Sequence, residues 1–175
     1  MKKMLSTKKL FLLDADVIID FAKYGVLDSI LRRTKCITGE IVAEDEVKYY
    51  LTAEGAKSID LSEYIDNKIL TIEAADFSDL QKLEELLPQD MADIIDEGEK
   101  ELLAIMTRRN DLTLISCDHG PIRCIPFIDR YYRVMSLEIM LKSIGIKAYW
   151  LEEKHTEKYM KGNLDIGRTK FIQSS

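Results

Sequence analysis

Leu10-Phe11-Leu12-Leu13-Asp14-Ala15-Asp16-Val17-Ile18-Ile19-Asp20 is the stretch whose reading decides the fold. An apolar run with no polar alternation, stopped abruptly by acids, is the pattern of a strand buried on both faces in a parallel sheet. Asp14 then stands at the carboxyl end of that strand. Beyond it, apolar residues at 18, 21, 22, 26, 27, 30 and 31 predict a helical face, broken at Gly25 and ending at Arg32-Arg33. The chain opens as a strand followed by helix.

The same alternation continues outward. Cys36-Ile37-Thr38 reads as a short strand, and Glu40 to Leu51 as a helix with an acidic first turn, favourable against the helix dipole. Residues 55–67 read as a helix or loop excursion, and Lys68 to Ile72 as another strand. Phe77 to Leu87 predicts an amphipathic helix stopped by Pro88, and Asp90 to Asp96 a short turn. Gly98 to Arg109 predicts a helix with acids at its start and arginines at its end. Leu112-Thr113-Leu114-Ile115-Ser116 is a second buried-strand signature, followed by Asp118, with His119-Gly120-Pro121 turning the chain. Tyr131 to Met135 reads as a last strand, and Ser136 to Ile144 as a helix closed by Gly145; the tail from Leu151 is polar. Strands and helices in alternation predict an α/β domain with a mostly parallel sheet, over residues 1–150, with 151–175 a polar C-terminal extension. In such sheets the ligand site lies beyond the carboxyl ends of the strands.

Composition narrows the function classes. A chain of 175 residues is long enough to bury one core, and 46% hydrophobic with 32% charged residues excludes wholesale disorder, collagen-like repeats and coiled coil. Cys36, Cys117 and Cys124 form no CxxC pair, and with 2 histidines no Cys/His zinc cluster assembles. That usage fits a reducing cytoplasm. The Met1–Leu13 segment begins basic, but its apolar run ends at Asp14 and Asp16, so neither a signal peptide nor a membrane span is expected. A net charge of -6 and a pI near 5.1 argue against coating nucleic acid through a global positive field. They leave room for a local basic patch or a metal-bearing acidic site.

If the strands carrying Asp14 and Asp118 are neighbours, about 5 Å apart, their carboxylates share one sheet edge. Carboxylates that close repel and raise one another's pKa unless a cation holds them ionised. An all-oxygen donor set suits Mg²⁺ or Mn²⁺ rather than zinc. Glu44, on the helix after the second strand, and Glu99 and Glu101, on the first turn of the helix leading to Asp118, could join them. Taken singly, each is better explained as loop chemistry, helix-dipole stabilisation or a solvated face.

Leu12-Leu13-Asp14-Ala15-Asp16-Val17-Ile18, Thr38-Gly39-Glu40-Ile41-Val42-Ala43-Glu44, Gly98-Glu99-Lys100-Glu101-Leu102-Leu103-Ala104 and Leu114-Ile115-Ser116-Cys117-Asp118, in that order, resemble the PIN-domain nucleases. The resemblance covers about residues 8 to 145. It implies a three-layer α/β/α sandwich and a metal-dependent nuclease site with Asp14, Glu44, Glu101 and Asp118 as catalytic and metal-binding acids. Glu99 stands beside Glu101 as an alternative third acid. One or two Mg²⁺ or Mn²⁺ ions would activate a water for RNA phosphodiester hydrolysis, with no protein nucleophile. For small prokaryotic members the resemblance further implies the toxin of a toxin–antitoxin pair, with an antitoxin partner and a homodimer. Asp16 and Cys117 depart from the residues usual in the family. Arg108, Arg109, Arg123 and Arg130 are candidates to position the strand, with solvated helix-end charge the competing reading of each. His119 reads as a surface histidine, and Tyr131-Tyr132 as core packing rather than base stacking.

Two other classes compete. Asp14-Ala15-Asp16-Val17 resembles the DxDx opening of haloacid-dehalogenase-type phosphatases, although Ser116 and Asp118 do not supply the later motifs in order. A PIN-like module that binds RNA or protein without cutting would leave the full acid set without a task.

Overall fold

The apolar run at the start of the chain forms β1 (Leu10–Leu13), with Phe11, Leu12 and Leu13 buried. The structure, a computed structural model, describes residues 9–174; the basic start at residues 1–8 lies outside the described residues. β1 leads into α1 (Ala15–Lys23), and Gly25, at φ 69°, breaks the chain before α2 (Leu27–Arg33). Only glycine takes that left-handed turn without steric cost. β2 (Lys35–Gly39) follows and pairs parallel with β1.

After β2 the structure departs from the expected helix over 40–51. The helix is confined to Glu40–Glu46 and closes as a π turn at Val42–Glu46, where the Val47 amide donates to the Val42 carbonyl. The chain then extends into β3 (Tyr49–Thr52), which pairs antiparallel with β4 (Gly55–Ser58). Tyr49, Tyr50 and Thr52 favour the pleated conformation, and the Thr52 hydroxyl donates to the Gly55 carbonyl across the turn. The spacing of Ile41, Val42, Val47 and Leu51 fits a helix as well, so periodicity alone could not separate the two.

The remaining elements follow in order: α3 (Ser62–Asp66), β5 (Leu70–Glu73), α4 (Phe77–Leu86), α5 (Gln89–Ala92), α6 (Glu97–Arg108) and β6 (Leu112–Ile115). Next, His119-Gly120-Pro121 does not turn the chain but opens α7 (His119–Ile128). Asp118 caps it and Pro121 sits in the first turn, where a missing N–H costs nothing. β7 (Val134–Met135) and α8 (Leu137–Ser143, capped by Ser136) precede a final helix, α9 (Glu157–Ser174).

The five-stranded sheet has the order β5-β2-β1-β6-β7 and every pairing in it is parallel. Helices cover both faces, giving a three-layer α/β/α sandwich. α1 packs on α2, while α6 packs on α4 and α7, as right-handed crossovers in opposite directions require. The core lies between these layers, with Val17, Ile18, Phe21, Leu102, Leu103 and Ile105 buried against the strands.

The polar tail is not a loose extension. α9 lies along α7, where Gly167 meets the Arg123 carbonyl and Phe171 stands edge-on to Phe127 at 5.4 Å. Among the described residues, no helix is long and apolar enough to cross a membrane.

An acidic edge at the strand switch point

In the sheet order, the chain moves outward from β1 through β2 to β5, then returns to the other side of β1 for β6 and β7. The reversal falls between β1 and β6, and crevices at such points are where open parallel sheets bind ligands. Asp14 and Asp118 follow these two strands. The Asp14 amide donates to the Ile115 carbonyl at 3.2 Å, extending the ladder by one residue. The Asp14 carboxylate is buried: Oδ1 accepts from the Ala15 amide at 2.7 Å and Oδ2 from the Ser116 hydroxyl at 2.6 Å. Ser116 Oγ in turn accepts from the Asp118 amide at 3.1 Å, so one hydroxyl joins the two acidic strand ends. Asp118 caps α7 through the Gly120 amide at 3.2 Å, leaving its carboxylate half exposed beside His119 Nδ1 at 2.8 Å.

α6 delivers the third acid. Asp96 and Glu99 form a reciprocal cap, each carboxylate accepting the other's amide at 2.8 and 3.0 Å. That bond turns the buried Glu99 toward the strand ends. Burial pushes the Glu99 carboxyl up to about 8, and the negative charges of Asp14, Asp96 and Asp118 add to the shift. Burial likewise pushes Asp14 up to about 7 against its two hydrogen bonds, with Asp16 and Asp96 adding repulsion. Two carboxyls held protonated near neutrality, beside further acids and with no cation among the groups that shift them, mark the edge as electrostatically strained.

Glu101 takes the other direction. Its Oε2 accepts the Ile41 amide at 2.8 Å, and its carboxylate fills the space a side chain at Gly39 would need. It ties α6 to the end of β2 and does not enter the Asp14–Asp118 pair. Glu44 is exposed on the π turn, while Glu46, two residues later, reaches the start of α6. Glu46 accepts from the Gly98 amide, and burial, then Asp96, Glu101 and Asp16, push its carboxyl up. Its carboxylate occupies the place of a Cβ at Gly98, which only glycine leaves vacant. Ser116, Asp96 and Glu46 are thus the members of the edge that sequence reasoning missed. The Asp96-x-x-Glu99 spacing was a readable signal for one of them; Glu46 had none, because a π turn shifts the helical face by a residue.

The arginines proposed to position a strand are engaged elsewhere. Arg108 pairs with Glu73 at 2.6 Å and Asp79 at 2.7 Å, and Arg109 with Glu73 and Asp111, both at 2.6 Å. Arg123 donates to Asn163 at 2.9 Å, and Arg130 lies over the Tyr131 ring. Tyr131 is 70% exposed, not core. Cys117 is buried, and burial pushes its thiol far up, so it supplies no thiolate.

The donor set fits a hard divalent cation by its chemistry, carboxylates and a hydroxyl at one edge, and by the strain such a charge would relieve. As they stand, Asp14, Glu99 and Asp118 are each held by their own hydrogen bonds, and among the described residues no three His, Cys, Asp or Glu are arranged to hold a metal ion. Comparison with protein-family models, curated proteins and solved structures finds no match for this chain.

Proposed function

We propose that this chain is a PIN-like, Mg²⁺- or Mn²⁺-dependent endoribonuclease. The observation that carries the reading is the joining of Asp14 and Asp118 through the Ser116 hydroxyl at the β1/β6 switch point, with Asp14 raised to about 7 and Glu99, within reach of both charges, to about 8. A structural acid has no need of like-charged neighbours in a buried position; a cation site does. Asp14, Glu99 and Asp118 would hold the cation, with Asp96 and Glu46 behind them. The bound cation would supply a nucleophilic water and neutralise the scissile phosphate. Ser116 holds the Asp14 carboxylate and the Asp118 backbone in register, and the Asp96 cap keeps Glu99 turned inward. Because Asp14 and Glu99 carry protons near neutral pH, they give them up as the cation is taken, and metal affinity rises with pH.

The biological setting that accompanies this reading is the toxin of a toxin–antitoxin pair. Growth arrest on expression of the intact protein, and none with Asp14→Asn, is the expected outcome. Cleavage of labelled single-stranded RNA, lost on EDTA treatment and in Asp14→Asn, tests the chemistry directly. Hydrolysis of a small phosphate ester without RNA cleavage would instead assign a dehalogenase-type phosphatase. RNA binding without either activity would assign a non-cutting module.

A further inference from the structure

An edge built from acids repels the polyanion it is proposed to cut, so some cation must receive the RNA backbone there. The arginines near the site in sequence are spoken for by Glu73, Asp79, Asp111, Asn163 and Tyr131. A cation arrives from a part of the chain outside the catalytic strands. Between α8 and α9, residues 148–155 form a strap against α1. Trp150 stacks on Tyr24 with ring centroids 4.2 Å apart and planes at 9°, and meets His155 edge-on at 5.6 Å. His155 is fully buried. Its Nδ1 accepts the Glu152 amide at 2.8 Å, so Nε2 carries the proton and donates to Asp20 at 2.8 Å. The Tyr24 hydroxyl adds a bond to Glu152 at 3.3 Å.

This pinning fixes Lys154, the residue before His155, at the acidic edge. Its ammonium lies 3.3 Å from Asp20 and 3.6 Å from Asp16, and its side chain is 33% exposed. Asp20 is already satisfied by His155, and Asp16, on the first turn of α1, is 51% exposed. Asp20 also bonds the ammonium and anchors it, whereas the Asp16 contact is longer and exposed and is the one open to exchange. Burial pushes Lys154 down, and Asp20 and Asp16 more than offset it, so its charge is kept. Its field reaches Cys117, the residue between Ser116 and Asp118.

We propose that Lys154 is the phosphate-receiving cation of the site: it exchanges Asp16 for a backbone phosphate of single-stranded RNA and seats the strand over Asp14 and Asp118. The inference rests on the nuclease reading and extends it to substrate binding by the C-terminal segment. A pre-positioned ammonium loses little side-chain entropy on contact, which is what the aromatic and histidine anchors accomplish.

The test compares the parent protein with Lys154→Met, which keeps the apolar stem, Lys154→Arg, which keeps the charge, and Lys161→Ala, an equal charge loss on the exposed face of α9. Binding of fluorescent single-stranded RNA is titrated across salt concentrations in the Asp14→Asn background, and cleavage kinetics are taken in the parent background with Mn²⁺. Melting temperatures confirm that each variant is folded. Lys154→Met should lower the slope of log affinity against log salt by about 0.7, the loss of one phosphate contact, and weaken binding roughly fivefold near 0.1 M salt. KM should rise correspondingly with kcat changed less than about twofold. Lys154→Arg should restore most of the loss, and Lys161→Ala should match the parent. Parent-like affinity and slope in Lys154→Met, with RNA cleavage intact, overturn the inference alone. A parent protein that neither binds nor cuts RNA overturns the nuclease reading and this inference with it.

Discussion

Asp14 is the residue on which most depends, because it ends β1, caps α1 and accepts from Ser116 while buried beside other acids. Removing its charge should therefore help the fold and, on the nuclease reading, abolish cleavage. Asp14→Asn is expected to raise the stability of the metal-free protein by about 1–3 kcal/mol at pH 8, where the aspartate is ionised. At pH 5 the gain should shrink, since the folded wild-type carboxyl is then protonated, and it should vanish only below about pH 4, where the unfolded chain is protonated too; paired denaturant titrations at pH 8 and pH 5 read the difference. The acids of α6 should part company in the same way. On the nuclease reading, Glu99→Gln should abolish cleavage while leaving the fold intact. Glu101→Gln weakens the Ile41 tether and costs about 1–2 kcal/mol, with cleavage surviving in whatever fraction stays folded. Sequence spacing to Asp118 favours Glu101, but both acids lie on one helical turn, and spacing does not say which of them faces the strand ends. What separates them is the Asp96 cap on one side and the bare backbone of Gly39 on the other, and neither is expressed in periodicity.

At the scale of elements, the strands and the helices with strong apolar stripes were legible from the chain. β1, β6, α4 and α6 appear within a residue or two of where their patterns put them, because burial on both faces or on one stripe leaves a clear trace in the sequence. The β3–β4 hairpin and α7 were not. β4 is exposed along its length and β3 is only half-buried at Tyr50 and Thr52, so no deep core selects the hairpin's pattern. α7 begins with Gly120 and Pro121 and contains Pro126, residues that read as breakers until Asp118 is seen to cap the first turn. α9 leaves a weak trace in the sequence, because its attachment to α7 combines an edge-on contact of Phe171 with Phe127 and a close backbone approach rather than a continuous apolar stripe. Gly167 is the point of that approach, and a Cβ there would collide with the Arg123 carbonyl. Gly167→Ala gains helix propensity, yet overpacking should win, with a net loss of about 1–3 kcal/mol read as a lowered denaturation midpoint. Gly162→Ala, on the same helix with nothing in the way, should instead be neutral or mildly stabilising.

For the molecule as a whole, the edge ties stability to pH and, on the proposed reading, to metal. Asp14 and Glu99 move from 3.8 and 4.5 to about 7 and about 8 on folding, so the folded chain binds more protons than the unfolded chain between those values. The stability they contribute is full below about pH 4 and is lost as pH rises toward 8, at up to about 1.4 kcal/mol per pH unit for each group. EDTA-treated protein should accordingly melt lower at pH 8 than at pH 6. Added Mn²⁺ should raise the melting temperature more at pH 8 than at pH 6, because fewer protons must leave; an equal rise at both values would detach the acids from the metal. The parallel ladder between β1 and β6 carries a last consequence, in the order of synthesis. Asp14 leaves the ribosome early, but the Ser116 that locks it lies 102 positions downstream, and the strap bearing Lys154 later still. Until β6 has been made and has docked on the open edge of β1, the acids stay apart. On the nuclease reading proposed above, a cutting edge that stays incomplete until β6 has docked would spare the translating RNA that surrounds the nascent chain.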